Sequence, residues 1–193
     1  MKNIPLYEVS HINNLRELIK SSARQFSEKP AFLVKNKEID KYEPISFSQY
    51  DKDVDSLGTA LMDMGLRGKR IAIIGENRYE WAVSYLAVVN GTGIVVPIDK
   101  ELPENEIQNL FNQAQVSAVI FSGSKREQII NISKRVDFIE HYIDMDAEES
   151  HDNFTAFRAL MAKGRELLES GNKDFVNAEI DEEAMHILLF TSA

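Results

Sequence analysis

The chain has 193 residues, which at ~150 residues per domain means one domain, or one and a fragment. Its 44% apolar and 27% charged content excludes a disordered or collagen-like chain, and the absence of cysteine excludes disulfides, thiolate nucleophiles and Cys-based metal centres. A net charge of −9 argues against non-specific nucleic-acid binding and against docking on anionic lipid by charge.

The N-terminus lacks the apolar core of a secretory signal. No uncharged apolar run approaches the ~18 residues of a membrane span; the longest apolar-rich stretch, Trp81–Val89, is far shorter. A cytoplasmic protein is therefore expected.

Residues 13 to 27 read as a helix, with Leu15, Leu18, Ile19, Ala23 and Phe26 on one face. Two short strands follow, Ala31–Val34 and Ile45–Phe47, joined by a charged loop. A second helix begins near Ser48, which is placed to cap it. Its stripe is Tyr50, Val54, Leu57, Leu61 and Met64, and Gly65 closes it.

From Arg70 the pattern changes. Ile71–Gly75 is a short apolar strand. Tyr79–Asn90 is apolar nearly all round and predicts a buried helix, broken by Gly91 and Gly93. Trp81 should then be buried, and its truncation to alanine should cost ~3–5 kcal/mol. Ile94–Ile98 is a second strand. Pro103 suits the first position of the next helix, whose inner face is Ile107, Leu110, Phe111 and Ala114. Ala118–Phe121 is a third strand, Lys125–Val136 a helix and Phe138–Ile143 a fourth strand. Apolar strands alternating with helices predict an α/β fold, a doubly wound, mostly parallel sheet covered on both faces.

The remainder divides into an acidic loop over 144–153, a helix over Phe154–Ser170 ended by Gly171, and an apolar segment, Ala184–Phe190, that reads as one more buried strand. The chain thus parses into a lead-in (1–69), a core (70–143), an acidic loop with connecting helix (144–183) and a last strand (184–193). A buried strand followed by Thr191, Ser192 and Ala193 is an unusual terminus and implies a chain that continues.

Few residues point to chemistry. His11, His141, His151 and His186 have no metal-ligand spacing, and His186 reads as a hydrogen-bonded histidine of its strand. The acidic loop lacks the glycine and terminal glutamate of a calcium loop. Gly91-Thr92-Gly93 follows a helix and is no dinucleotide fingerprint. Ser122-Gly123-Ser124-Lys125 follows a strand and opens a helix, so it is either an anion site or, as expected, a plain turn. Thr191 and Ser192 sit at the exit of a strand, where hydroxyls either contact a phosphate or cap a turn.

The order of motifs over Ile45–Ile107 carries a resemblance. ISFSQY, GLRGKRIAI, NRYEW, LAVVNGTGIVVPID and the following Pro103 are similar, in sequence and spacing, to the opening segments of the AMP-forming acyl-CoA synthetases, the adenylate-forming family. ILLFTS (Ile187–Ser192) resembles the lead-in to that family's Thr/Ser/Gly-rich phosphate loop. Phe154–Ser192 is similar to the connection that long-chain fatty acid ligases place before the loop. Ala193 departs from the pattern, standing where the loop's first glycine is expected.

The resemblance implies part of the large N-terminal domain of the adenylate-forming fold. It implies an enzyme that activates a fatty acid with ATP and Mg²⁺ as an acyl-adenylate and passes the acyl group to coenzyme A. Only Thr191 and Ser192 of the family's nucleotide site fall in this chain, as phosphate contacts; no catalytic residue or metal ligand carries over. The isolated chain is therefore expected to be inactive and to hold no cofactor tightly. The alternative is a free-standing doubly wound domain that binds a ligand or partner without catalysis. Its receiver and flavodoxin versions fit poorly, because the first strand ends Gly75-Glu76-Asn77, without clustered acids or a Ser/Thr loop.

Overall fold

The structure, a computed structural model, describes residues 11–36 and 39–191. Helix α1 (Leu15–Gln25) starts at Asn14, whose side chain accepts the Glu17 N–H. Strands β1 (Pro30–Asn36) and β2 (Lys41–Ser46) form an antiparallel hairpin, so much of the expected charged loop is strand. Helix α2 (Phe47–Asp63) is capped by Ser46, which accepts the Gln49 N–H, and not by Ser48. Ser46 wins because the strand delivers it in the extended conformation a cap needs. Gly65, at φ +79°, turns the chain after α2.

The core is a five-stranded sheet in the order β4-β3-β5-β6-β7, and every pairing is parallel. Its members are β3 (Arg70–Ile74), β4 (Ile94–Ile98), β5 (Ala118–Phe121), β6 (His141–Asp144) and β7 (Phe154–Ala156). Helices α3 (Tyr79–Ala87, continued by a π turn over Val88–Thr92), α4 (Glu104–Ala114), α5 (Arg126–Ser133) and α6 (Phe157–Glu169) complete the chain. Alternation along each strand feeds two cores. Ile71 and Ile73 pack with residues of α1, α2, α3 and α6; Ala72 and Ile74 pack with α4 and α5.

Several boundaries move. Pro103 caps α4 from outside, and a 3₁₀ turn over Gly123–Lys125 precedes α5. β6 begins at His141, later than the expected Phe138. The helix expected from Phe154 gives its first three residues to β7. There Phe154 stacks on Tyr142, with ring centroids 4.8 Å apart, and this cross-strand contact overrides the helical periodicity.

Helix α3 is not buried all round. Val83, Ser84 and Ala87 are buried, but Trp81, Tyr85 and Leu86 pack at the margin of the core and stay partly exposed. The Trp81 ring stacks on Tyr85 at 5.3 Å. The helix covers one sheet face and, among the described residues, has no layer outside it at this end, so apolar composition alone does not bury it.

Ala184–Phe190 is likewise no buried strand. It is extended, with exposure alternating from Met185 onward, and it meets β4 through one parallel bridge, Val95 to Ile187. Val95 N–H donates to His186 O and Leu188 N–H to Val95 O, each at 2.9 Å. Leu188 and Phe190 pack inward, while Met185, Ile187 and Leu189 are exposed because nothing among the described residues covers that face.

Two contacts fix the outer layer. Arg16 donates to Ala178 O at 2.5 Å, Phe175 O at 2.8 Å and Asn90 O, and lies over the Phe175 ring. It thereby ties α1 to the π turn and to the segment after α6. Helices α2 and α6 touch backbone to backbone at Gly164, where an added Cβ would stand 1.9 Å from Ser56 O.

Gly164→Ala should therefore destabilise the fold by about 3 kcal/mol, read by thermal or urea melting. A melt unchanged from the parent would show that the two helices do not approach this closely. Trp81→Ala should cost about 1–2 kcal/mol, below the value for full burial, because only part of the ring surface is lost from the core. A loss above that range would place the indole deeper than its exposed edge indicates.

Candidate functional site at the carboxyl edge of the sheet

Because all five strands run the same way, their carboxyl ends share one edge, where ligands of open α/β sheets gather. The winding reverses between β3 and β5. From β3 the chain passes through α3 to β4 on one side, then through α4 to β5 on the other side of β3. Helices α3 and α5 pack on opposite faces, so the loops that lead to them part. A cleft of ≈960 Å³ opens there, lined by the segments after β3 and β5, by Asp146 beyond β6, and by strand β1.

Its polar floor is a network across three loops. Arg78 Nη1 donates to both oxygens of Asp146, at 2.6 and 2.8 Å, and its Nε donates to Glu80 at 2.6 Å. The Gly123 N–H donates to Asp146 Oδ2 at 2.6 Å. Ser124 Oγ donates to Glu76 Oε1 at 2.5 Å and lies 2.9 Å from Ser122 Oγ. Arg126 Nε donates to the buried Asp144 at 2.5 Å.

These contacts set the charge states. The Ser124 hydroxyl, then Ser122, hold the Glu76 carboxyl down to about 2. Burial pushes Asp146 up, but Arg78 and the Gly123 N–H outweigh it, so its carboxyl titrates below the usual range. Both carboxylates are ionised at neutral pH.

The turn at Ser122–Lys125 is a turn whose anion position is already filled by the carboxylate of Asp146 on the Gly123 N–H. His186 is a hydrogen-bonded histidine on the strand-like segment, its Nε2 2.6 Å from Asp181 O. Thr191 is exposed and does not line the cleft. It follows a segment that runs parallel to β4, in the direction of the carboxyl edge. Ser192 and Ala193 lie outside the described residues.

No local pattern joins Glu76 and Arg78 to Ser124 and Asp146, which lie far along the chain from them. The available signal was positional, since each follows the carboxyl end of a predicted strand.

The folded-state pKa of Glu76, about 2, lies below its ordinary 4.5. Its ionised form thus contributes stability in full above pH 4.5, and that contribution is lost as pH falls from there through 2. Glu76→Gln should flatten this part of the acid limb when urea midpoints are plotted against pH. Parallel limbs for variant and parent would mean that the serine contacts do not favour the ionised form.

A family model described as AMP-binding enzyme matches residues 19–193. Fatty acyl-CoA synthetase A of Dictyostelium discoideum is 31% identical over 132 residues, covering 68% of this chain and 19% of that protein. A mitochondrial medium-chain acyl-CoA ligase of Rattus norvegicus is 26% identical over 131 residues, covering 66% of this chain and 21% of its own length. The chain thus spans about a fifth of the length of these curated relatives. Among solved structures, a long-chain-fatty-acid–CoA ligase of Archaeoglobus fulgidus superimposes with a TM-score of 0.76 at 16% identity, covering 97% of this chain and 36% of that one. The N-terminal domain of a Mycobacterium tuberculosis protein does so with a TM-score of 0.66 over 94% of this chain and 42% of that one. The sheet order, the strand polarity and the match over nearly the whole chain agree: the chain belongs to the AMP-binding enzyme family, with the N-terminal fold of the adenylate-forming enzymes.

Proposed function

We propose that the protein is an AMP-forming acid–CoA ligase that activates a fatty acid, with a preference for long chains. The observation that carries this reading is the family match running through the segment 184–191, which lies along β4 in parallel and ends in a hydroxyl. ATP, with Mg²⁺, would supply the adenylyl group that activates the carboxylate, with pyrophosphate leaving, and coenzyme A would supply the thiol that takes the acyl group as AMP leaves. This chain's part is to orient. Thr191 and Ser192 bond phosphate oxygens without adding negative charge, as Asp or Glu there could not. The exposed Thr191, beside a strand that ends at the ligand-gathering edge, fits that role.

The long-chain preference rests on the resemblance of Phe154–Ser192 to the long-chain ligases, and names among the relatives include both long- and medium-chain ligases. The same reading takes 1–69 as a lead-in, 70–143 as the core, 144–183 as a connection and 184–193 as the approach to the phosphate loop. It also takes the setting as cytoplasmic; no helix among the described residues is long and apolar enough to cross a membrane. The chain alone, at about a fifth of its relatives' length, is read as inactive.

The test uses the whole protein and ATP–pyrophosphate exchange driven by C8, C12 and C16 acids. Exchange should be fastest with the longer acids, and the 193-residue chain alone should show none. Thr191→Val and Ser192→Ala should each slow exchange about tenfold to a hundredfold, the value of a hydrogen bond to a charged group, with an unchanged melting temperature. Exchange that survives both substitutions would make these hydroxyls structural, and exchange driven by no fatty acid would overturn the substrate class.

A further inference from the structure

We propose that the cleft between the β3 and β5 loops is a second ligand site, for an amphipathic monoanion: an apolar body carrying one carboxylate or similar group. It is distinct from the strand exit at Thr191 and does not depend on the ligase reading.

The position comes first. The cleft stands at the reversal of winding, where the topology itself parts two loops, and its ≈960 Å³ is in the range of small-molecule sites. One wall is apolar. Phe32, Leu33 and Val34 of β1 line it together with Trp81 and Ala82 of α3. Leu33 is 63% exposed, and Trp81 keeps part of its ring out of the core. Covering such surface removes apolar area from water and so favours binding.

The charges then select the head group. Lys35, Arg78 and Arg126 line the cleft together with Glu76, Glu80 and Asp146, so formal charge is balanced. A polyphosphate would meet three acidic side chains, whereas a single negative charge needs only one cation. Arg126 offers it. Its Nε is bonded to Asp144, and no hydrogen bond among the described residues holds its Nη groups. Arg78, in contrast, is engaged by two carboxylates. The anion therefore pairs with Arg126 while the apolar body lies along Leu33 and Trp81.

The chain contains one tryptophan, and it lines the cleft, so its emission reports occupancy directly. Titration of the chain with decanoate should give a saturable change in Trp81 emission. Decyltrimethylammonium at the same concentrations, and ATP, should not. Arg126→Gln should weaken decanoate binding about tenfold, as for loss of a charge-assisted bond. Because that variant also unpairs Asp144, Leu33→Asp serves as a second: it changes an exposed residue, places a negative charge beside the body of the ligand, and should weaken binding comparably. Thr191→Val should leave the titration unchanged, so that failure at the strand exit and failure at this cleft are told apart. The proposal is overturned if decanoate leaves the emission unchanged, if the cationic amphiphile or ATP reproduces the response, or if neither Arg126→Gln nor Leu33→Asp weakens it.

Discussion

A parallel sheet must be covered on both faces, and this fold is built around that demand. Each strand of the β3–β5 pair delivers alternate residues to two separate cores, so neither face tolerates water. Four helices serve one core and two the other. The connection through α3 goes to one face and those through α4 and α5 to the other, which makes the winding reverse. The reversal in turn parts the loops at the carboxyl edge. The cleft and its cross-linked floor both descend from the burial of five short strands.

Legibility followed the same line. Ile71–Ile74, Val95–Ile98 and Ala118–Phe121 are apolar at consecutive positions, which only a strand buried on both faces requires, and they fall where the sequence places them. β7 was hidden because three residues at a sheet margin carry no period of their own and abut a helix with a strong one. For Trp81 and the segment Ala184–Phe190 the sequence predicts deep burial that the fold does not provide, because apolar composition does not say how many layers surround an element. The sequence places the cap of α2 at Ser48 and the structure at Ser46, because any serine suits a cap and only the incoming strand decides which one holds it.

The candidate site was less legible than the fold, for a physical reason. Its contacts are charge pairs such as Arg78–Asp146 and Arg126–Asp144, made by side chains in loops or at the ends of elements, where periodicity carries no signal. What brings them together is strand order, which no local pattern records. The family motifs over Ile45–Ile107 identify the scaffold, whereas the cleft at its edge is visible only once β3 and β5 are neighbours. Motif resemblance and site geometry therefore inform on different parts of the molecule.

The single bridge between Val95 and Ile187 has a bearing on how the chain is assembled during synthesis. Both of its hydrogen bonds use the backbone of Val95, at the open margin of β4. That margin is completed by a segment the ribosome makes long after β4 itself. Through that interval β4 presents unpaired amide and carbonyl groups beside Val96 and Ile98, a template for another nascent chain. That pairing therefore waits on residues made well after β4 and covers part of an aggregation-prone edge, and a slow decoding stretch before residue 184 would lengthen the exposure.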